Sequence, residues 1–257
     1  MRKTSIPPTV RTLFFDMNNT MIDPETSFVQ SFTNILTDFT GRWVSDDPEA
    51  TPEKAAALYL SEWNKRKRKL KPETNRNGSG TFELRKQCLK AALKDYPFAV
   101  NDTFVQSFFR EMKKQQRQHA ALFPQTAETV RALAQRYQLA IISNGNPDVQ
   151  FGMITRFGLA NELPRERIFT SKKGEYRKPD AAIFLHALKS THTAPSEAVM
   201  IGDSWTNDIA GALKCGMHAV WVNRNADKKI TQRKVGRHKI TVIRHIRELQ
   251  DVLQFEG

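Results

Sequence analysis

Residues Thr12–Asp23 read TLFFDMNNTMID. An uncharged, strand-prone run ends abruptly on Asp16, and Asn18, Asn19 and Thr20 follow directly. A run with no polar alternation is the pattern of a strand buried on both faces, as in a parallel sheet. A carboxylate at its carboxyl end, with small polar side chains behind it, falls where open parallel sheets bind ligands.

Outward from this stretch, the second half of the chain repeats the same grammar. The strand Val10–Phe15 has counterparts at Gln138–Ile142, Arg167–Thr170, Ala198–Ile201 and Ala219–Val222. Amphipathic spacing predicts helices at Thr126–Arg136, Val149–Phe157, Ala181–Lys189 and Asn207–Lys214. The tail KITVIRHIRELQDVL predicts a last short strand and a closing helix. Such alternation predicts the α/β class: a Rossmann-like, doubly wound parallel sheet. The interval after Asp23 differs. VQSFTNILTDF, KAAALYLSEW, ELRKQCLKAAL and FVQSFFREM have helical periodicity, with turns expected at DDPEATPE and at Gly78–Gly80. The expected organisation is an α/β core from residues 1–23 and 122–257, with an all-helical insert at 24–121.

Polar groups recur at the strand ends: Asp16, then Ser143 and Asn144, then Asp203 and Ser204, with Lys178 ahead of a helix. One Asp after a strand is ordinarily a cap or turn residue. Four such places in order are not explained by capping. The set FFDMNNT, IISNG, RKPDAAIF and IGDSWTND resembles the four motifs of the haloacid dehalogenase superfamily. The resemblance implies that the helical interval is a cap inserted after the first motif. It implies Asp16 as nucleophile toward phosphorus, with Thr20, Ser143, Asn144 and Lys178 as phosphate-binding groups. It also implies a Mg²⁺ site made by Asp16, the carbonyl of Asn18 and Asp203, supported by Asp208. Asp208 would act through bound water or by orienting Lys178.

One position departs from the pattern. Phosphatases of this superfamily usually have D-x-D in the first motif, the second Asp serving as general acid and base. Here that residue is Asn18, and Asn19 replaces the usual glycine. An amide neither donates nor takes a proton at neutral pH, and such a loss typically costs about 10²–10⁴ in rate. Three readings follow: a Mg²⁺-dependent phosphatase of a small phosphorylated metabolite, a phosphate-binding or regulatory protein with impaired turnover, or a 2-haloacid dehalogenase. LAIISNGNPD resembles the dehalogenase branch. That branch usually carries Tyr at position 18 and lacks the acid found here as Asp203, so the fourth motif favours phosphoryl chemistry.

Hydrophobic residues make up 39% and charged residues 26% of the 257, a globular composition. No apolar run approaches the roughly 20 residues of a membrane helix, and no signal peptide is expected. Cys88 and Cys215 have no CxxC spacing, so a reducing cytoplasm is the expected setting. None of the six histidines has metal-site spacing. Forty Lys and Arg against 27 Asp and Glu give a net charge of +13, which favours small anionic partners. The excess gathers at Lys65–Lys71 and Arg224–Arg247. Neither stretch interleaves aromatics or sits in a nucleic-acid reading motif, so both read first as solvated faces, ahead of nucleic-acid contact.

Overall fold

The computed structural model describes residues 6–40, 50–67, 79–96, 99–171, 176–236 and 238–253. Part of the first basic run (68–71), Gly78 and the start of DDPEATPE (46–49) lie outside them. The chain divides into two compact units, Met1–Asp23 with Leu122–Gly257, and Pro24–Ala121.

Strand β1 (Thr12–Phe15) is buried at all four positions. The short β2 (Ile22–Asp23) follows, and Pro24 opens α1 (Pro24–Thr40), a favoured first helical position because proline lacks the N–H that would go unpaired there. Helices α2 (Pro52–Lys67), α3 (Ser79–Ala92) and α4 (Asp102–Gln118) complete the second unit. Ser79 and Gly80, expected in a turn, form the first turn of α3 instead. Asn101 caps α4, its side chain accepting from the Phe104 N–H at 2.9 Å. The helices bury Phe32, Ile35, Tyr59, Leu89 and Phe108 in a common core. A two-residue strand, β3 (Ala121–Leu122), ends the interval and pairs with β2.

The first unit continues with α5 (Thr126–Ala134), β4 (Gln138–Ser143), α6 (Pro147–Arg156), β5 (Ile168–Thr170), α7 (Ala181–Ser190) and β6 (Ala198–Gly202). A π-helical turn, Trp205–Ala210, leads into α8 (Gly211–Lys214) and β7 (His218–Val222). Two strands, β8 (Ile230–Val235) and β9 (His238–Ile243), precede the closing α9 (Leu249–Val252). The sheet order is β5-β4-β1-β6-β7-β9-β8, parallel throughout except for β8 at the edge. Helices flank this Rossmann-like sheet. On one face Phe14, Ala140, Ile142 and Met200 pack against Ile183 and Phe184 of α7.

In the first unit, two elements differ from the expectation. The helix foreseen over Asn207–Lys214 starts as a π-turn, because the Ser204 carbonyl accepts both the Asp208 and Ile209 N–H groups, at 2.9 and 3.3 Å. The last strand is also half of an antiparallel hairpin. The basic residues Arg233, Lys234 and Lys239 of that hairpin are solvent-exposed, and charge on an edge strand discourages pairing with another chain.

Candidate functional site

Adjacent parallel strands bring the predicted residues together. Because β4, β1 and β6 are neighbours in register, Ser143, Asp16 and Asp203 emerge from one end of the sheet. The Asp16 N–H donates to the Ile201 carbonyl at 2.9 Å, extending the ladder through the carboxylate-bearing residue.

Lys178 arrives from the loop ahead of α7 and is 2% exposed. Its ammonium has three donors, directed at Asp16 Oδ1, Asp208 Oδ1 and the Ile142 carbonyl, each at 2.6 Å. Asn144 sets the lysine's backbone. Its carboxamide accepts from the Lys178 N–H at 2.8 Å and donates to the Lys178 carbonyl at 3.0 Å. The Asn144 side chain, expected among the phosphate-binding groups, is therefore engaged in placing Lys178. The Asp208 carboxylate is shared between the Lys178 ammonium and the Ser204 N–H, the latter at 2.9 Å. Gly202 makes room for it: a Cβ there would lie 2.4 Å from Asp208 Oδ2.

The hydroxyl residues are buried. Thr20 donates to Asp203 Oδ1 at 3.4 Å, and Ser143 Oγ accepts from the Gly145 N–H at 3.2 Å, which leaves the Ser143 proton for another acceptor. Asn18 is exposed beside them. Asn19 has φ 61°, in the left-handed region. Asparagine tolerates that region better than most residues, so the loop keeps a shape usually given to glycine.

Three carboxylates share this place with one ammonium. Burial first, then Asp208 and Asp203, pushes the Asp16 carboxyl up to about 6 against the pull of Lys178. Burial, with Asp208 next, also raises Asp203. Burial alone would lower the Lys178 pKa, but the two carboxylates outweigh it and keep the ammonium charged. One carboxylate oxygen from each of Asp16, Asp203 and Asp208 lies within 4.8 Å of the others. This negative excess of hard oxygen donors fits a small divalent cation such as Mg²⁺.

Two supporting residues escaped the sequence reading. Trp221 Nε1 donates to the Asp203 carbonyl at 2.9 Å, and its ring meets Trp205 edge-on at 5.2 Å. Trp205 thus packs on Trp221. Arg224 donates to the carbonyls of Asn19 and Thr20 at 2.8 and 3.1 Å and to His245 Nδ1 at 3.0 Å. Its guanidinium lies 3.3 Å from the Phe123 ring centroid. It ties the loop after Asp16 to the end of β9, a role that no local signal separates from the surrounding basic run.

A family profile described as haloacid dehalogenase-like hydrolase matches residues 13–222. A phosphoserine phosphatase of Thermus thermophilus is 37% identical over 121 residues, 46% of this chain and 45% of that protein. A glyceraldehyde 3-phosphate phosphatase of Methanothermobacter thermautotrophicus is 31% identical over 135 residues, 51% of this chain and 58% of its own length. The chain spans about half the length of these two curated relatives. Among solved structures, the magnesium-bound HAD-hydrolase YfnB from Bacillus subtilis has a TM-score of 0.63 at 20% identity. That match covers 95% of this chain and 99% of the other, a likeness of fold alone.

Proposed function

We propose that this chain, which belongs to the haloacid dehalogenase-like hydrolase family, is a Mg²⁺-dependent phosphatase of a small phosphorylated metabolite. The observation that carries the reading is the buried Lys178 ammonium held between Asp16 and Asp208 beside Asp203. Such a cluster supplies a nucleophile, a fixed positive charge and a cation site, and phosphoryl transfer asks mainly for positioning and charge neutralisation. The names of the relatives agree with this chemistry.

In this account an Asp16 carboxylate oxygen attacks phosphorus, an aspartyl-phosphate forms, and the bond to the leaving oxygen breaks. Lys178 holds Asp16 in its attacking orientation, and Ser143 donates its free proton to a phosphoryl oxygen. Bound Mg²⁺, held by Asp16, Asp203 and the Asn18 carbonyl, would neutralise phosphate charge. Asp208 orients Lys178. Asn18 supplies no proton, so the leaving oxygen departs as an anion or takes its proton from water. Water then attacks the aspartyl-phosphate without a positioned base, releasing inorganic phosphate and restoring Asp16. Aryl and acyl phosphates are therefore better substrates than alkyl phosphates.

Asn18→Asp tests this at nearly constant volume. The variant gains on the order of 10²-fold in kcat/KM on alkyl phosphates with Mg²⁺, and less on aryl phosphates. Equal or lower activity on both classes, with cation binding intact, would refute the reading of Asn18 as a missing acid. The acidic cluster argues against metal-free dehalogenation; chloride release from 2-chloropropionate without Mg²⁺ would reverse that preference.

A further inference from the structure

The helical unit contains a cavity of about 520 Å³, within the range of about 300–1,000 Å³ typical of small-molecule sites. All its lining residues lie between Phe28 and Gln116, so none belongs to the acidic cluster. Its walls are aromatic. Phe28 of α1 stacks on Tyr59 of α2 at 5.1 Å, Tyr59 runs nearly parallel to Trp63 at 6.3 Å, and Phe109 of α4 meets Tyr59 at 5.8 Å. Side chains one helical turn apart lie on one face of a helix, which sets the half-buried Trp63 beside the buried Tyr59.

The charge at this cavity is one-sided. Arg85 and Lys113, both exposed, line it, and among the described residues no Asp or Glu does. The Arg85 guanidinium sits 5.0 Å from the Phe109 ring centroid, and Lys67 lies over Trp63 at 5.9 Å. Stacking on the ring pre-orients the guanidinium fork, which suits bidentate pairing with an oxyanion. Flat ring walls with cations at the mouth match a ligand that is planar at one end and negatively charged at the other.

We propose that this cavity is a binding site for a planar aromatic anion, a carboxylate or phosphate carried on a ring system. The proposal rests on residues of the helical unit alone, so it stands whether or not the phosphatase reading does.

The experiment is calorimetric titration of the full chain in EDTA with three probes: 1-naphthoate, 1-naphthalenemethanol and cyclohexanecarboxylate. Naphthoate binds saturably. The neutral alcohol binds at least about fivefold more weakly and the non-planar acid at least about tenfold more weakly. Arg85→Gln, at an exposed position, weakens naphthoate about tenfold, the low end of what a charge-assisted contact contributes. Trp63→Leu weakens it about tenfold, as loss of a stacking surface does, while melting temperatures of both variants report that the fold is kept. Raising salt weakens naphthoate and leaves the alcohol unchanged. Absence of saturable naphthoate binding, or unchanged affinity in a folded Arg85→Gln variant, overturns the proposal.

Discussion

Replacing Lys178 by Met removes the charge and keeps most of the volume. The ammonium lies 2.6 Å from each of two carboxylate oxygens and is 2% exposed. At an effective dielectric of 20, each pair has a gross attraction of about 6 kcal/mol. Desolvation of three ions offsets much of that, and breaking a buried pair by deleting one partner usually costs about 3–5 kcal/mol net. At about 2–4 °C per kcal/mol for a protein of this size, the melting temperature falls by roughly 6–20 °C. The assay is thermal unfolding at pH 7.5 with EDTA, so that no cation replaces the ammonium. The cost lies in carboxylates left without a partner, so Lys178→Met/Asp208→Asn should recover part of it. The two substitutions are in contact and should be non-additive by about 1 kcal/mol or more. A single variant as stable as the native chain, or a double variant whose losses simply add, would refute the claim that Lys178 balances these carboxylates.

Other expectations follow from neighbouring contacts. Trp221→Phe keeps an aromatic side chain but removes the donor to the Asp203 carbonyl, so titration should show Mg²⁺ affinity about 10-fold or more weaker, as losses behind a metal ligand usually are; unchanged affinity would remove Trp221 from the site. The Asp16 carboxyl is held up near 6 mainly by burial. A folded pKa above the unfolded value gives stability that is present below about pH 4 and lost as pH rises through 6. Mg²⁺ should therefore raise the melting temperature more at pH 7.5 than at pH 5, where protons compete for the same oxygens; a pH-independent shift would contradict this.

The legible parts of the fold were those whose signal is local. The run Leu13–Phe15 announces a strand because both of its sides are buried, and Asp16, Ser143 and Asp203 could be aligned because each follows such a run. The β8–β9 hairpin was hidden because ITQRKV lies at an exposed edge, where polar residues mask strand periodicity. The π-turn at Trp205–Ala210 depends on Asp208 turning back to the Ser204 N–H and outward to Lys178, a tertiary demand that helical propensity does not register. The hold of the Asn144 side chain on the Lys178 backbone leaves no local signal, because the two lie 34 residues apart. Arg224 was lost among the basic surplus, since its contacts to Asn19 and Thr20 span more than 200 residues of chain.

Covalent capture of the phosphoryl group on Asp16 tests the central claim most directly. Radiolabelled acetyl phosphate is mixed with the protein and Mg²⁺, the reaction is quenched in acid, and protein-bound label is counted before and after hydroxylamine treatment. The account predicts hydroxylamine-labile label approaching one equivalent, because position 18 offers no base to discharge it. Asp16→Asn should carry none, Asp203→Ala should carry little, and Asn18→Asp should turn the label over rapidly. Phosphate release by the native chain without any bound label, or label that persists in Asp16→Asn, would contradict the account.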